Sequence, residues 1–162
     1  MAKLLNFRFL FLLLVSYCIA APAPGTFSQV QGWGSNPTNS GFWMYTPKGK
    51  PTTVVLAVHH CSGSAQGYWG ETRGRYQPLA DKHNFVIIYP NSPRQGGCWD
   101  VSSRSSLSHD GNGDSNSIAN MVRWAQKQYG VTREKTFFFG TSSGAMMAYA
   151  SISYIKSFGN HF

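Results

Sequence analysis

Gly140-Thr141-Ser142-Ser143-Gly144 has the form G-x-S-x-G. It follows the apolar run Thr136-Phe137-Phe138-Phe139 and precedes Ala145-Met146-Met147-Ala148-Tyr149, so it sits where a short strand gives way to a helix. That context gives the pattern its chemical meaning. A serine on a strained strand-to-helix turn has its Oγ lifted above the sheet, and only glycine fits two residues to either side. The following helix offers N–H groups and its dipole to developing negative charge. Ser142 is the candidate nucleophile, and the Ser143 backbone N–H a candidate oxyanion donor.

A second donor is expected from the loop after an early strand. That loop is His59-His60-Cys61-Ser62-Gly63-Ser64, directly after the apolar, β-branched run Thr53–Val58. The Cys61 N–H is the candidate. Of three cysteines, Cys18 falls in an N-terminal signal, which leaves Cys61 and Cys98 as an even pair. In an oxidising compartment such a pair reads as a disulfide, worth roughly 3–4 kcal/mol in the chain-entropy picture. A zinc site is disfavoured, because adjacent His59 and His60 on a strand would point to opposite faces. Both histidines are expected to serve structure, with a ring nitrogen on a loop carbonyl.

The elements that must position these residues are legible in outline. Residues 1–20 read as a secretion signal: Lys3 and Arg8, then an apolar run from Phe9 to Ile19, then small residues before Ala21-Pro22. Residues 21–41 form an extended segment rich in Gly, Ser, Asn and Pro. Strands are expected at Phe42–Tyr45, Thr53–Val58, Phe85–Tyr89 and Thr136–Phe139, the last three buried on both faces. A short helix is expected over Tyr76–His83. A longer one runs from an Asp114 N-cap to about Gln128, closed by Gly130. Asn91–Gly113 reads as a polar loop. Alternating strands and helices make an α/β domain with a mostly parallel sheet and flanking helices.

Composition agrees with a folded protein. Charged residues are only 12% and aromatics 15%, the reverse of a disordered chain. The net charge of +8 comes from scattered Lys and Arg. Nucleic-acid binders gather such charge on one face or in a motif, so no nucleic-acid partner is expected.

In order, His59-His60-Cys61-Ser62-Gly63-Ser64, Phe85-Val86-Ile87-Ile88-Tyr89-Pro90, Cys98-Trp99-Asp100, His109-Asp110-Gly111-Asn112-Gly113-Asp114 and the elbow resemble the fungal acetylxylan esterases of carbohydrate esterase family one. Feruloyl esterases and polyhydroxybutyrate depolymerases are similar but less close. The resemblance covers about Ser28 to Tyr149. It implies an α/β-hydrolase fold, secretion, and removal of acetyl groups from xylan without a metal or organic cofactor. It matches Ser142 to the family nucleophile and the Cys61 N–H to an oxyanion donor. The implied partner is acetylated xylan or another plant cell-wall polysaccharide, with no membrane attachment of the mature, monomeric form.

The family's triad runs Ser, then Asp, then His. The six acids of this sequence (Glu71, Asp81, Asp100, Asp110, Asp114, Glu134) all precede Ser142, and His161 is the one histidine after it. His109 and Asp110 lie in the loop before the expected Asp114 helix, a poor place for a base serving Ser142. The expectation is therefore the N-terminal half of a hydrolase, a partial domain over residues 42–149 with a divergent tail at 150–162, inactive or nearly so. The rival is a non-catalytic secreted polysaccharide binder on the same fold. Asp110-Gly111-Asn112-Gly113-Asp114 imitates a calcium loop but has Ser115 and Met121 where Gly and Glu belong, so a turn into a helix is expected. Among the tryptophans, Trp99 is the candidate for stacking on a sugar.

Overall fold

The structure is a computed structural model describing the backbone of residues 21–108 and 111–157 and side chains through residue 152. The expected signal sequence, His109, Asp110 and His161 lie outside the described residues. β1 (Phe27–Gln29), β2 (Gly41–Tyr45), β3 (Thr53–Val58), β4 (Phe85–Asn91) and β5 (Thr136–Gly140) form one sheet in the order β1-β2-β4-β3-β5. β3 pairs in parallel with β4 and β5, while β1 and β2 add an antiparallel flank beside β4.

β3 sits between two neighbours because its side chains are apolar on both faces. Val54, Leu56 and Val58 join one buried cluster with Val86 and Ile88 of β4. Ala57 joins the other with Ile87 and Tyr89, as the two-residue strand period requires. α1 (Ala65–His83) covers the second face through Ala65, Tyr68 and Ala80. α3 (Asp114–Tyr129) and α4 (Ser143–Ser157) cover the first through Ile118, Met121, Val122, Ala125 and Met147. A four-residue helix, α2 (Arg104–Leu107), interrupts the expected polar loop.

Several expectations need correction. α1 extends eleven residues before Tyr76, starting from Ser64, whose Oγ accepts the Gly67 N–H at 3.0 Å. Gly67, Gly70, Gly74 and Pro78 lie inside it, residue types that lower helix propensity and hide the helix from a pattern search. α3 is capped by Gly113, and Asp114 is its first helical residue. β5 is not a buried strand. Phe137 is 57% exposed and Phe138 37%, because β5 is the edge of the described sheet and no described strand pairs with its far side. Residues 21–41 carry β1, and Val30 and Trp33 enter the core.

Met146 and Tyr149 on α4 are also largely exposed, and with Val101, Leu107, Ala145 and Ala150 they line an apolar concavity. Such a patch should bind 8-anilinonaphthalene sulfonate in the native state. The double substitution Met146→Gln/Tyr149→Gln should lower that fluorescence by roughly half or more, with little change in the urea midpoint. Unchanged fluorescence would place the dye elsewhere.

Candidate active site

The elbow is built by backbone proximity. Thr141 donates its N–H to the Val58 carbonyl at 3.2 Å, fastening the end of β5 to the end of β3. Ser142 then takes φ +54°, a left-handed conformation that costs a non-glycine residue energy and persists only where surroundings impose it. Its carbonyl accepts from the Ala145 N–H at 2.9 Å and the Met146 N–H at 3.3 Å, which starts α4. The Ser142 side chain is exposed.

Neither glycine of the motif has a positive φ; both are demanded by space. A Cβ on Gly140 would lie 2.6 Å from the Gly144 carbonyl group. One on Gly144 would lie 2.2 Å from the Val58 oxygen and 2.3 Å from that of His59. α4 therefore begins pressed against the last carbonyls of β3. From the other face of the sheet, the Tyr68 hydroxyl meets Thr141 Oγ1 at 3.0 Å.

The loop after β3 is equally fixed. His59 is 1% exposed. Its Nδ1 lies 2.7 Å from the His60 carbonyl, and its Nε2 accepts the Ser92 N–H at 3.2 Å. Only the neutral ring with its proton on Nδ1 satisfies both. Burial accordingly pushes its pKa below the usual 6.5. His60 donates from Nδ1 to the Cys61 carbonyl at 2.6 Å, and its Nε2 lies 3.4 Å from Glu71. The Cys61 bond and Glu71 raise its pKa.

Cys61 and Cys98 form a disulfide, with Cα atoms 4.1 Å apart. The Ser62 N–H donates to the Gly96 carbonyl at 2.6 Å, a second tie between the two loops. Ser143 Oγ lies 3.3 Å from Cys61 Sγ. The sulfur carries no proton in a disulfide, so the hydroxyl is the donor. The two residues expected to offer oxyanion N–H groups thus touch through their side chains. Among the described residues, neither N–H has a hydrogen-bond partner.

Trp99 is placed differently from the expectation. It is 4% exposed, its indole N–H donates to the His59 carbonyl at 2.9 Å, and its ring centroid lies 5.0 Å from that of His59. A buried ring has no face to offer a sugar; Trp99 braces the loop instead.

Sequence reasoning missed the network that holds the Cys98 loop. Fully buried Asp114 accepts from the Arg94 guanidinium and, at 3.0 Å, from the Asp100 N–H. Asp100, 3.6 Å from Arg94, also accepts the Ser103 N–H at 2.9 Å, and hydrogen bonds from Ser103 hold its carboxyl down at about 2. The Asp114 carboxylate thus serves a loop anchor in place of a calcium-loop position. An isolated acid at the start of a helix was the one available signal, and nothing in the sequence linked it to Arg94.

An apolar concavity of about 410 Å³ lies beside the elbow, lined by Val101, Leu107, Ala145, Met146, Tyr149 and Ala150. No histidine is hydrogen-bonded to Ser142 among the described residues.

Residues 42–160 match the family model described as Esterase PHB depolymerase. The chain is 49% identical over 128 residues to a protein named probable acetylxylan esterase A from Aspergillus clavatus, covering 78% of this chain and 41% of that protein. It is 48% identical over 128 residues to acetylxylan esterase A of Emericella nidulans, with the same coverage. Among solved structures, the acetyl xylan esterase from Aspergillus awamori superposes with TM-score 0.73 at 46% identity, over 78% of this chain and 46% of that one. The poly(3-hydroxybutyrate) depolymerase LpqC from Bordetella parapertussis shares the fold alone, with TM-score 0.56 at 18% identity over 76% of this chain and 45% of that one. The chain spans about two fifths of the length of the curated relatives it matches.

Two outcomes follow from this geometry. Gly144→Ala should cost about 2–3 kcal/mol, read as a lower urea midpoint at unchanged slope, since its Cβ meets rigid backbone. A neutral result would mean α4 does not press on β3. For His59, the unfolded chain binds a proton more readily than the native one, so stability is full above pH 6.5 and falls as pH drops below it. His60 acts in the opposite sense but is about one-third exposed, which weakens its effect. NMR titration should find the His59 ring neutral below pH 6.5; a value at or above 6.5 would contradict the assignment.

Proposed function

The chain belongs to the Esterase PHB depolymerase family, and from that premise we propose that it carries the nucleophile half of a secreted serine carboxylic ester hydrolase of the acetylxylan esterase type. The observation that carries the reading is exposed Ser142 at φ +54° between two glycines with no room for a Cβ. In the reaction, Ser142 Oγ attacks the acetyl carbonyl, and the N–H groups of Ser143 and Cys61 take the charge on the carbonyl oxygen. The sugar alcohol leaves, and water then releases acetate from the acyl-serine. The similarity to acetylxylan esterases supports acetylated xylan as substrate. Residues 1–20 support export.

A serine nucleophile needs a base within hydrogen-bond reach, itself oriented by a third group. His59 and His60 both commit Nδ1 to loop carbonyls, and His59 Nε2 accepts from Ser92. Among the described residues no histidine is hydrogen-bonded to Ser142. The family order is Ser, then Asp, then His, and no Asp or Glu follows Ser142 in these 162 residues, so we propose little or no turnover by them alone. That same observation favours a second reading, in which the chain binds polysaccharide without hydrolysing it.

The test joins this chain, through the first turns of α4, to the part of the Aspergillus awamori enzyme that lies beyond the match. The chimera should release acetate from acetylated xylan, and Ser142→Ala should reduce the rate roughly 10⁴-fold or more. The 162-residue chain should hydrolyse p-nitrophenyl acetate no faster than its Ser142→Ala variant. A folded chimera without Ser142-dependent activity would overturn the esterase reading, and turnover by the 162-residue chain would overturn the proposed dependence on residues beyond it.

A further inference from the structure

A second concavity of about 410 Å³ opens on the same rim of the sheet as the elbow, formed by the end of β1, the loop 31–40, the start of β2 and the segment after β4. The register places it. Gly41 pairs with Asn91 at the C-terminal end of β4, the end at which parallel β3 and β5 finish in Val58 and Gly140. β4 and β5 are two strand steps apart, about 10 Å. The groove is also joined directly to the oxyanion loop. Ser92, in its wall, donates its N–H to His59 Nε2 and its hydroxyl to the Cys98 carbonyl at 3.0 Å.

The loop 31–40 is far more tightly fastened than a connection requires. Asn36 exchanges two 2.9 Å hydrogen bonds with the Ser40 backbone. Thr38 meets Ser117 of α3 through its N–H at 3.3 Å and its hydroxyl at 2.9 Å. Asn120 of α3 donates to the Ser35 carbonyl at 2.9 Å. Trp33 and Phe42, with centroids 5.7 Å apart edge to face, contribute to the lining from the core. Against this fixed frame stand Gln29, Gln31 and Asn39, exposed, and without a side-chain hydrogen bond among the described residues.

The lining contains no charged residue among the described ones, in a chain whose net charge is +8. Free amides can donate and accept together, which suits hydroxyl groups and offers nothing special to an anion. A preformed site lowers the ordering cost of holding a flexible chain. We propose that this groove is a subsite for an uncharged, hydroxyl-rich glycan, holding the polysaccharide backbone that flanks the residue presented to Ser142. The proposal rests on the esterase reading for the identity of the glycan, while the groove itself binds independently of catalysis.

The test uses the 162-residue chain, labelled with ¹⁵N and titrated with xylohexaose. Amide shifts should move at Gln29, Gln31, Gly32 and Asn39. Gln29→Ala/Gln31→Ala should weaken binding about fivefold or more. A hexamer of galacturonate, charged at every unit, should bind more weakly. No shift at those amides, equal affinity for the galacturonate hexamer, or parental affinity in the double variant would each overturn the subsite. Xylohexaose binding in the groove beside a catalytically dead chimera would sink the esterase reading and leave the groove standing. An active chimera whose parent chain shows no groove binding would do the reverse.

Discussion

The approach of Gly144 to the Val58 and His59 carbonyls is the constraint on which the site depends. It exists because β3 is an interior strand buried on both faces, so its last carbonyls are fixed in place where α4 meets them. It forces the chain leaving β5 to turn within two residues, and Ser142 takes the left-handed conformation as the result. The same contact sets where α4 begins and hence where its first N–H groups point. Strain at Ser142 and missing side chains at Gly140 and Gly144 are thus one feature.

A nucleophile fixed in this way is useful only if a second loop is fixed relative to it. The loop after β3 has no regular structure, and four unlike interactions hold it: the Cys61–Cys98 disulfide, the Ser62–Gly96 hydrogen bond, the His59 ring between His60 and Ser92, and the Trp99 indole on the His59 carbonyl. Cys98 is itself held because Arg94 and Asp100 close on buried Asp114. Much of the fold's polar chemistry lies in the segments that surround the elbow. This is the arrangement expected where a backbone N–H, which cannot be moved by a rotamer change, must stand at a set place.

What the sequence disclosed followed physical locality. β3 is an uninterrupted apolar run between Pro51 and Cys61, and its expected limits coincide with the observed ones. The elbow is contiguous in sequence too, although only Gly140 is required within the turn itself; Gly144 is required by the distant end of β3. α1 was truncated because its glycines and Pro78 weaken a signal that only packing against β4 restores. β5 looked buried because three phenylalanines imply burial, yet burial depends on a neighbour that no run of residues encodes. Trp99 departs from expectation for the same reason: aromatic type shows the capacity to stack, whereas its depth depends on where the Cys98 loop lands. The contacts of Tyr68 with Thr141, of Ser143 with Cys61 and of Arg94 with Asp114 join residues distant in sequence, and none leaves a periodic trace.

Strain at Ser142 and the Cys61–Ser143 contact both sit where α4 presses on the end of β3. Solution NMR of the 162-residue chain tests this arrangement most directly, through the Ser142 φ angle and the proximity of the Cys61 and Ser143 side chains. A positive φ at Ser142 together with cross-relaxation between those two side chains is expected. A negative φ at Ser142, with the α4 helix continuing back through it and no contact to Cys61, would contradict it.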